Sequence, residues 1–131
     1  MAVTTAQTVD VAQALAVLLE GIGGLRVEPY VSDKSRPPVA VIALPRLRFD
    51  DPEAGFCFAA WEFPITIITA RNQDRSAQEE LSRLVRDVCN ALMHPPAAGI
   101  GDVAPIAADP TTATIAGQEL PAYIVRVRVL A

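Results

Sequence analysis

Between Thr8 and Ile22 the apolar residues Val11, Leu15, Leu18, Leu19 and Ile22 recur at the spacing of one helical face, which predicts an amphipathic helix. Thr8 stands where an N-cap belongs, Asp10 lies in the first turn, and Gly23 and Gly24 offer the left-handed termination that other residues resist. The run Gly21-Ile22-Gly23-Gly24 follows a helix instead of joining a strand to one, so it reads as a C-cap and not as a phosphate loop. An extended segment, Arg26 to Val31, leads through a polar turn at residues 32–35 to Pro37, Pro38 and the apolar run Val39 to Leu44, whose β-branched residues predict a strand buried on both faces. Pro45 to Gly55 carries Arg46, Arg48, Asp50, Asp51 and Glu53 between prolines and reads as a loop or protruding arm.

Cys57 to Ala70 then alternates as a long strand, with Trp61, Phe63, Ile65 and Ile67 on one face and Phe58, Ala60, Glu62, Pro64, Thr66 and Ile68 on the other. Pro64 cannot donate to a ladder, so the expectation is an edge strand or a bend. Ser76 to Met93 reads as a second helix, opened by the capping box Ser76-Ala77-Gln78-Glu79 and buried along Leu81, Leu84, Val85, Val88 and Leu92. Arg83, Arg86 and Asp87 fall on a solvated side. His94 to Pro110, rich in Pro, Gly and Ala, is expected to be an exposed, mobile excursion unless a short strand hides near Val103 to Ala107. A closing hairpin follows: Thr111 to Ala116, a turn over Gly117 and Gln118, and Leu120 to Leu130 with Tyr123, Val125, Val127 and Val129 on one face and Arg126 and Arg128 on the other. The order α, β, β, β, α, β, β predicts an α+β fold in two layers. Two helices pack on one face of a mixed, mostly antiparallel sheet that carries a long protruding strand or hairpin.

Composition narrows the class. With 131 residues, 51% hydrophobic and 20% charged, the chain is expected to be one domain, residues 1–131, with an ordinary hydrophobic core. A net charge of −4 disfavours affinity built on neutralising many phosphates. Ten of the eleven basic residues are Arg, the exception being Lys34, which suits bidentate pairing at interfaces and equally reflects genomic base composition. No apolar run is long enough to span a bilayer and the first residues lack a signal-peptide pattern, so a soluble, unprocessed protein is expected.

Candidate chemistry is sparse. His94, the single histidine, lies beside two prolines at a helix end, and no GxSxG elbow is present, so a nucleophilic hydrolase is not expected. Asp50, Asp51 and Glu53 lack the alternating ligands of a calcium loop and read as surface charge. Cys57 and Cys89 have no metal-ligand or CxxC spacing and read as reduced, buried thiols. No cofactor, metal or catalytic residue is therefore expected, and the chain reads as a non-enzyme. The aromatics Phe56, Phe58, Trp61 and Phe63 alternate as strand packing does, with the first half of that strand the place to test for an exposed patch.

The organisation of the chain resembles the tail terminator proteins of long-tailed bacteriophages, the minor tail protein U-like family. The resemblance covers most of the chain. It runs from the opening helix ending at Gly23-Gly24 through Val27-Glu28-Pro29-Tyr30-Val31 and Pro37-Pro38-Val39-Ala40-Val41-Ile42 to the loop Arg46 to Gly55. It continues with the long strand Phe56 to Ala70, the linker Arg71-Asn72-Gln73-Asp74, the helix beginning Ser76-Ala77-Gln78-Glu79, and the hairpin ending Ala122-Tyr123-Ile124-Val125.

The resemblance implies a structural virion protein, made in the bacterial cytoplasm and placed at the neck. There it forms a hexameric ring on the head-proximal end of the tail tube, stops tube polymerisation and joins the head completion or connector protein. DNA would pass through without specific binding, with Arg126 and Arg128 facing away from the lumen or paired. The candidate subunit or tube contacts are Arg46, Arg48, Asp50, Asp51, Phe56, Phe58 and Trp61. The alternatives are another head-tail completion protein of the neck and a cellular small-molecule-binding α+β domain with a pocket on the Trp61 face.

Overall fold

The structure, a computed structural model, describes residues 5–23, 25–28, 36–48, 60–69, 75–93 and 102–130. In chain order these form α1 (Thr5–Glu20), β1 (Arg26–Glu28), β2 (Val39–Ile42), β3 (Arg46–Arg48), β4 (Ala60–Ile68), α2 (Arg75–Met93), β5 (Asp102–Ile115) and β6 (Gln118–Leu130). All six strands join one sheet in the order β1-β2-β4-β6-β5, with β3 also paired to β4. Only β1 and β2 run parallel; every other pairing is antiparallel. The fold is α+β, as the pattern predicts.

The core lies between the helices and one face of the sheet. Leu15 and Leu19 of α1 and Leu81, Leu84, Val88 and Leu92 of α2 cluster with Trp61, Phe63, Ile65 and Ile67 of β4 and with Val125, Val127 and Val129 of β6. The alternation along β4 and β6 thus reports the buried face correctly, and the α2 stripe is the one its 3.6-residue period indicates. On the other face Val39, Val41, Ile68, Ala122, Ile115 and Leu120 form a second, smaller buried cluster at the hairpin end of the sheet.

Five expectations need correction. Pro64 does not put β4 at an edge: β4 is central, between β2 and β3 on one side and β6 on the other. The register explains how. Ile42 stands opposite Ile65 and Arg46 opposite Glu62, so the three residues 43–45 face only two, Phe63 and Pro64. This one-residue bulge coincides with the position that lacks a donor. The Pro64 carbonyl accepts from the Ala43 amide at 3.2 Å, so the absent Pro64 N–H points into the bulge and no ladder bond is forfeited.

Second, part of the expected arm is strand β3, which extends β2 along β4 beyond the bulge. Third, the expected excursion before residue 110 is instead a continuous edge strand from Asp102, antiparallel to β6. Residues 94–101 lie outside the described residues. Fourth, the helix starts differ. Thr8 is inside α1, and Ser76 is inside α2, where Glu79 pairs with Arg75 at 3.1 Å in place of closing a capping box on Ser76. The hairpin turn sits one residue earlier than expected, on Ala116 (φ 52) and Gly117 (φ 79), the positive-φ pair of a type I′ turn.

Candidate interaction surfaces

The described residues present the charged part of the far sheet face, a groove beside α1 and the β5 edge as candidate surfaces. The far face follows from register. Directly opposed residues share a face, so Arg46 of β3, Glu62 of β4 and Arg128 of β6 form one row across three strands, with Arg126 in the next row beside Pro64. Their neighbours Trp61, Phe63, Val127 and Val129 are wholly buried toward the helices, which fixes this row on the opposite side. Arg46 and Arg126 are exposed, while Glu62 and Arg128 are half-buried and engaged. The Arg–Glu–Arg order keeps unlike charges adjacent and leaves the row net positive within an acidic protein.

The groove, about 420 Å³, lies between α1, β1 and the bulged segment 43–45. Ala12, Ala16, Val27, Ile42 and Phe63 make it mainly apolar, with Gln13 and Glu28 as its polar groups. Leu44 at its rim, in the bulged segment, is 87% exposed. Along the outer side of α2, Arg75 pairs with Glu79, and Arg83 with Asp87 at 3.4 Å, the solvated i,i+4 pattern expected there.

The sequence candidates divide unevenly. Arg46 belongs to the far-face row, and the backbone of Arg48 pairs opposite Ala60. Asp50, Asp51, Phe56 and Phe58 lie outside the described residues, as does Cys57. Trp61 is a core residue, wholly buried and 6.1 Å from the Phe63 ring at an interplanar angle of 57°, so it presents nothing to a partner at the protein surface. Burial also removes the Trp61 face as the wall of an open pocket; the groove reaches that face only through Phe63. Its indole Nε1 is buried without a hydrogen-bond partner. Cys89 is half-buried, and desolvation raises its thiol pKa above the ordinary value, which suppresses the reactive thiolate.

Two polar features were not singled out by sequence reading. Thr69, at the end of β4, is wholly buried, and its hydroxyl donates to Glu80 Oε1 of α2 at 3.2 Å, tying strand to helix. The run Thr111 to Ile115 is the uncharged end of the β5 edge. Among the described residues no cluster of three potential metal ligands occurs, and no helix is long and apolar enough to cross a membrane. No protein-family model matches the chain, and no curated protein matches it.

Proposed function

We propose that this chain is a structural subunit of a phage neck, a tail terminator that assembles into a ring on the head-proximal end of the tail tube, stops tube growth and offers a joining surface to the head connector. The observation that carries this reading is the Arg46–Glu62–Arg128 row with exposed Arg126, on a sheet face where no described helix packs. A pre-ordered charge row on a rigid sheet suits contacts whose register must repeat identically around a ring. The element order, with two helices on one face and a long hairpin closing the chain, is consistent with the organisation on which the resemblance rests. In the proposed ring this face meets a neighbouring subunit or the tube and not the passing DNA, whose phosphates its arginines would hold back.

The test is to add the purified chain to polymerising tube protein of the same phage and to measure tube length by electron microscopy. Elongation should stop with a six-fold ring at one tube end, and Arg126→Glu should weaken capping while leaving the circular dichroism spectrum unchanged. Tubes that grow to the same length with and without the chain refute the proposal.

A second reading, a small-molecule-binding domain, is favoured by the groove beside α1. It predicts a ligand-dependent rise in Tm that Ala16→Phe, which fills the groove, abolishes.

A further inference from the structure

The hydrogen-bonding direction of every residue in the sheet can be read from three contacts. Along a strand, each residue sends its N–H and C=O to one side and the next residue sends them to the other. The Thr69 amide donates to the Pro121 carbonyl at 3.3 Å, so odd-numbered residues of β6 face β4 and even-numbered ones face β5. The Ala43 to Pro64 bond and the Arg26 to Pro38 bond, 3.3 Å, fit the same assignment carried across β4 and β2. On β5, residues 111, 113 and 115 oppose Ala122, Leu120 and Gln118, and therefore bond inward to β6. Thr112 and Thr114 direct their backbone groups out from the sheet edge.

Pro105 and Pro110 fall on the same outward side. They oppose Val127 and Tyr123, odd residues of β6, and the bulge at Ile106 is what keeps both prolines in this phase despite their five-residue separation. The first part of the edge is thus protected by two missing donors, a bulge and the charge of Asp109. Thr111 to Ile115 carries none of these protections: it has no proline, no charge and no bulge, and Thr112 and Thr114 are exposed.

We propose that Thr111–Ile115 is a strand-pairing site whose occupant is the same segment of a second copy of this chain, joined antiparallel about a two-fold axis at Ala113. The pattern is self-complementary. With Ala113 opposite its own copy, Thr112 opposes the partner's Thr114, and the outward amide of each donates to the carbonyl of the other. Thr111 opposes the partner's Ile115, so on the face that carries Thr111, Ala113 and Ile115 the second apolar cluster of each copy is brought to the seam, while Thr112 and Thr114 meet on the opposite face. The alternative, an edge-to-edge contact between unlike strands, is poorer: β1 and β3 have three residues each, with only Val27 and Leu47 directed outward. The β5 edge therefore selects a two-fold contact that closes on itself, and a six-fold ring must be built from another surface.

Proline substitution in the outward phase tests this while leaving the backbone ladder to β6 in place; at Thr112 it also removes the exposed hydroxyl bond to Glu119 Oε1, 3.3 Å, which the circular dichroism control covers. Sedimentation velocity on the full chain over a wide concentration range should give a monomer–dimer equilibrium. Thr112→Pro, which deletes an outward donor from each copy, should weaken it about tenfold or more at unchanged circular dichroism. Ala113→Cys should cross-link to itself on mild oxidation, since the two Ala113 residues form a non-hydrogen-bonded pair with Cα atoms about 4.5 Å apart. Peptide mapping separates that disulfide from any formed by Cys57 or Cys89. A chain that stays monomeric at every concentration overturns the proposal, as does an oligomer that is indifferent to Thr112→Pro or that yields no 113–113 cross-link.

Discussion

Replacing Trp61 by Phe pits two effects of similar size against each other. Trp61 is wholly buried and its indole N–H has no acceptor, so the folded state carries the desolvation penalty of a lone donor, about 1–3 kcal/mol. Trp61→Phe abolishes that penalty and retains an aromatic ring beside Phe63. It also removes roughly two methylene equivalents of buried apolar volume, which costs about 1.6 kcal/mol at about 0.8 kcal/mol each. The two nearly cancel, and the variant should lie within about 1.5 kcal/mol of the parent, on either side. Trp61→Ala, with no such compensation, should lose about 3–5 kcal/mol. Urea unfolding followed by far-UV circular dichroism measures both, because the single tryptophan is the residue being changed. A loss above about 2.5 kcal/mol for Trp61→Phe at unchanged m-value would refute the reasoning and mean that the indole donates to a buried acceptor.

Ala113→Pro removes an inward ladder donor where Thr114→Pro removes an outward one; the first should cost about 3 kcal/mol and the second under 1 kcal/mol in urea melts, and equal costs would overturn the phase assignment. Ala116 holds φ 52, a region that L-residues enter at a cost, so Ala116→Gly should raise stability by up to about 1 kcal/mol, and a drop would show that the turn depends on the methyl group. Thr69→Val keeps the shape but ends the bond to Glu80, with an expected loss of about 1–2 kcal/mol by thermal or urea unfolding; no loss would mean that Glu80 has equivalent partners. The raised thiol pKa of Cys89 predicts iodoacetamide labelling slower than that of a free thiol at mildly alkaline pH, with the rate rising only at higher pH; labelling at the free-thiol rate, located by peptide mapping, would contradict the burial.

The elements that face the main core were legible because one period governs them: Leu81, Leu84, Val88 and Leu92 along α2, and Trp61 to Ile67 along β4. What escaped lies where two constraints meet. Pro64 forbids a central strand on its own chemistry, and only the neighbouring strand's extra residue between Ile42 and Arg46 makes room for it. Pro105 and Pro110 argue against a strand until it is known that both face outward from an edge. The Arg46-Leu47-Arg48 triplet reads as a loop because a strand of three residues offers no run of alternation. The same non-local logic governs the surfaces. Trp61 looks like a binding aromatic until the helices cover it, and Arg46 gains a setting only when pairing aligns it with Glu62 and Arg128.

The position of β6 has a consequence for how the molecule is made. It is the last of the described strands, yet it stands between β4 and β5, and it supplies Val125, Val127 and Val129 to the main core. A ribosome therefore delivers α1, four strands and α2 long before the strand that joins the two sides of the sheet emerges. At about 5–20 residues per second, the nascent chain spends seconds with the β6-facing side of β4 unpaired and the apolar face of α2 only partly covered. Because β5 pairs only with β6, neither strand can join the rest of the sheet until β6 is available to pair along β4. A chain truncated before residue 118 keeps β4 but lacks the strand that links it to β5, so β5 has no pairing partner and the main core loses Val125, Val127 and Val129.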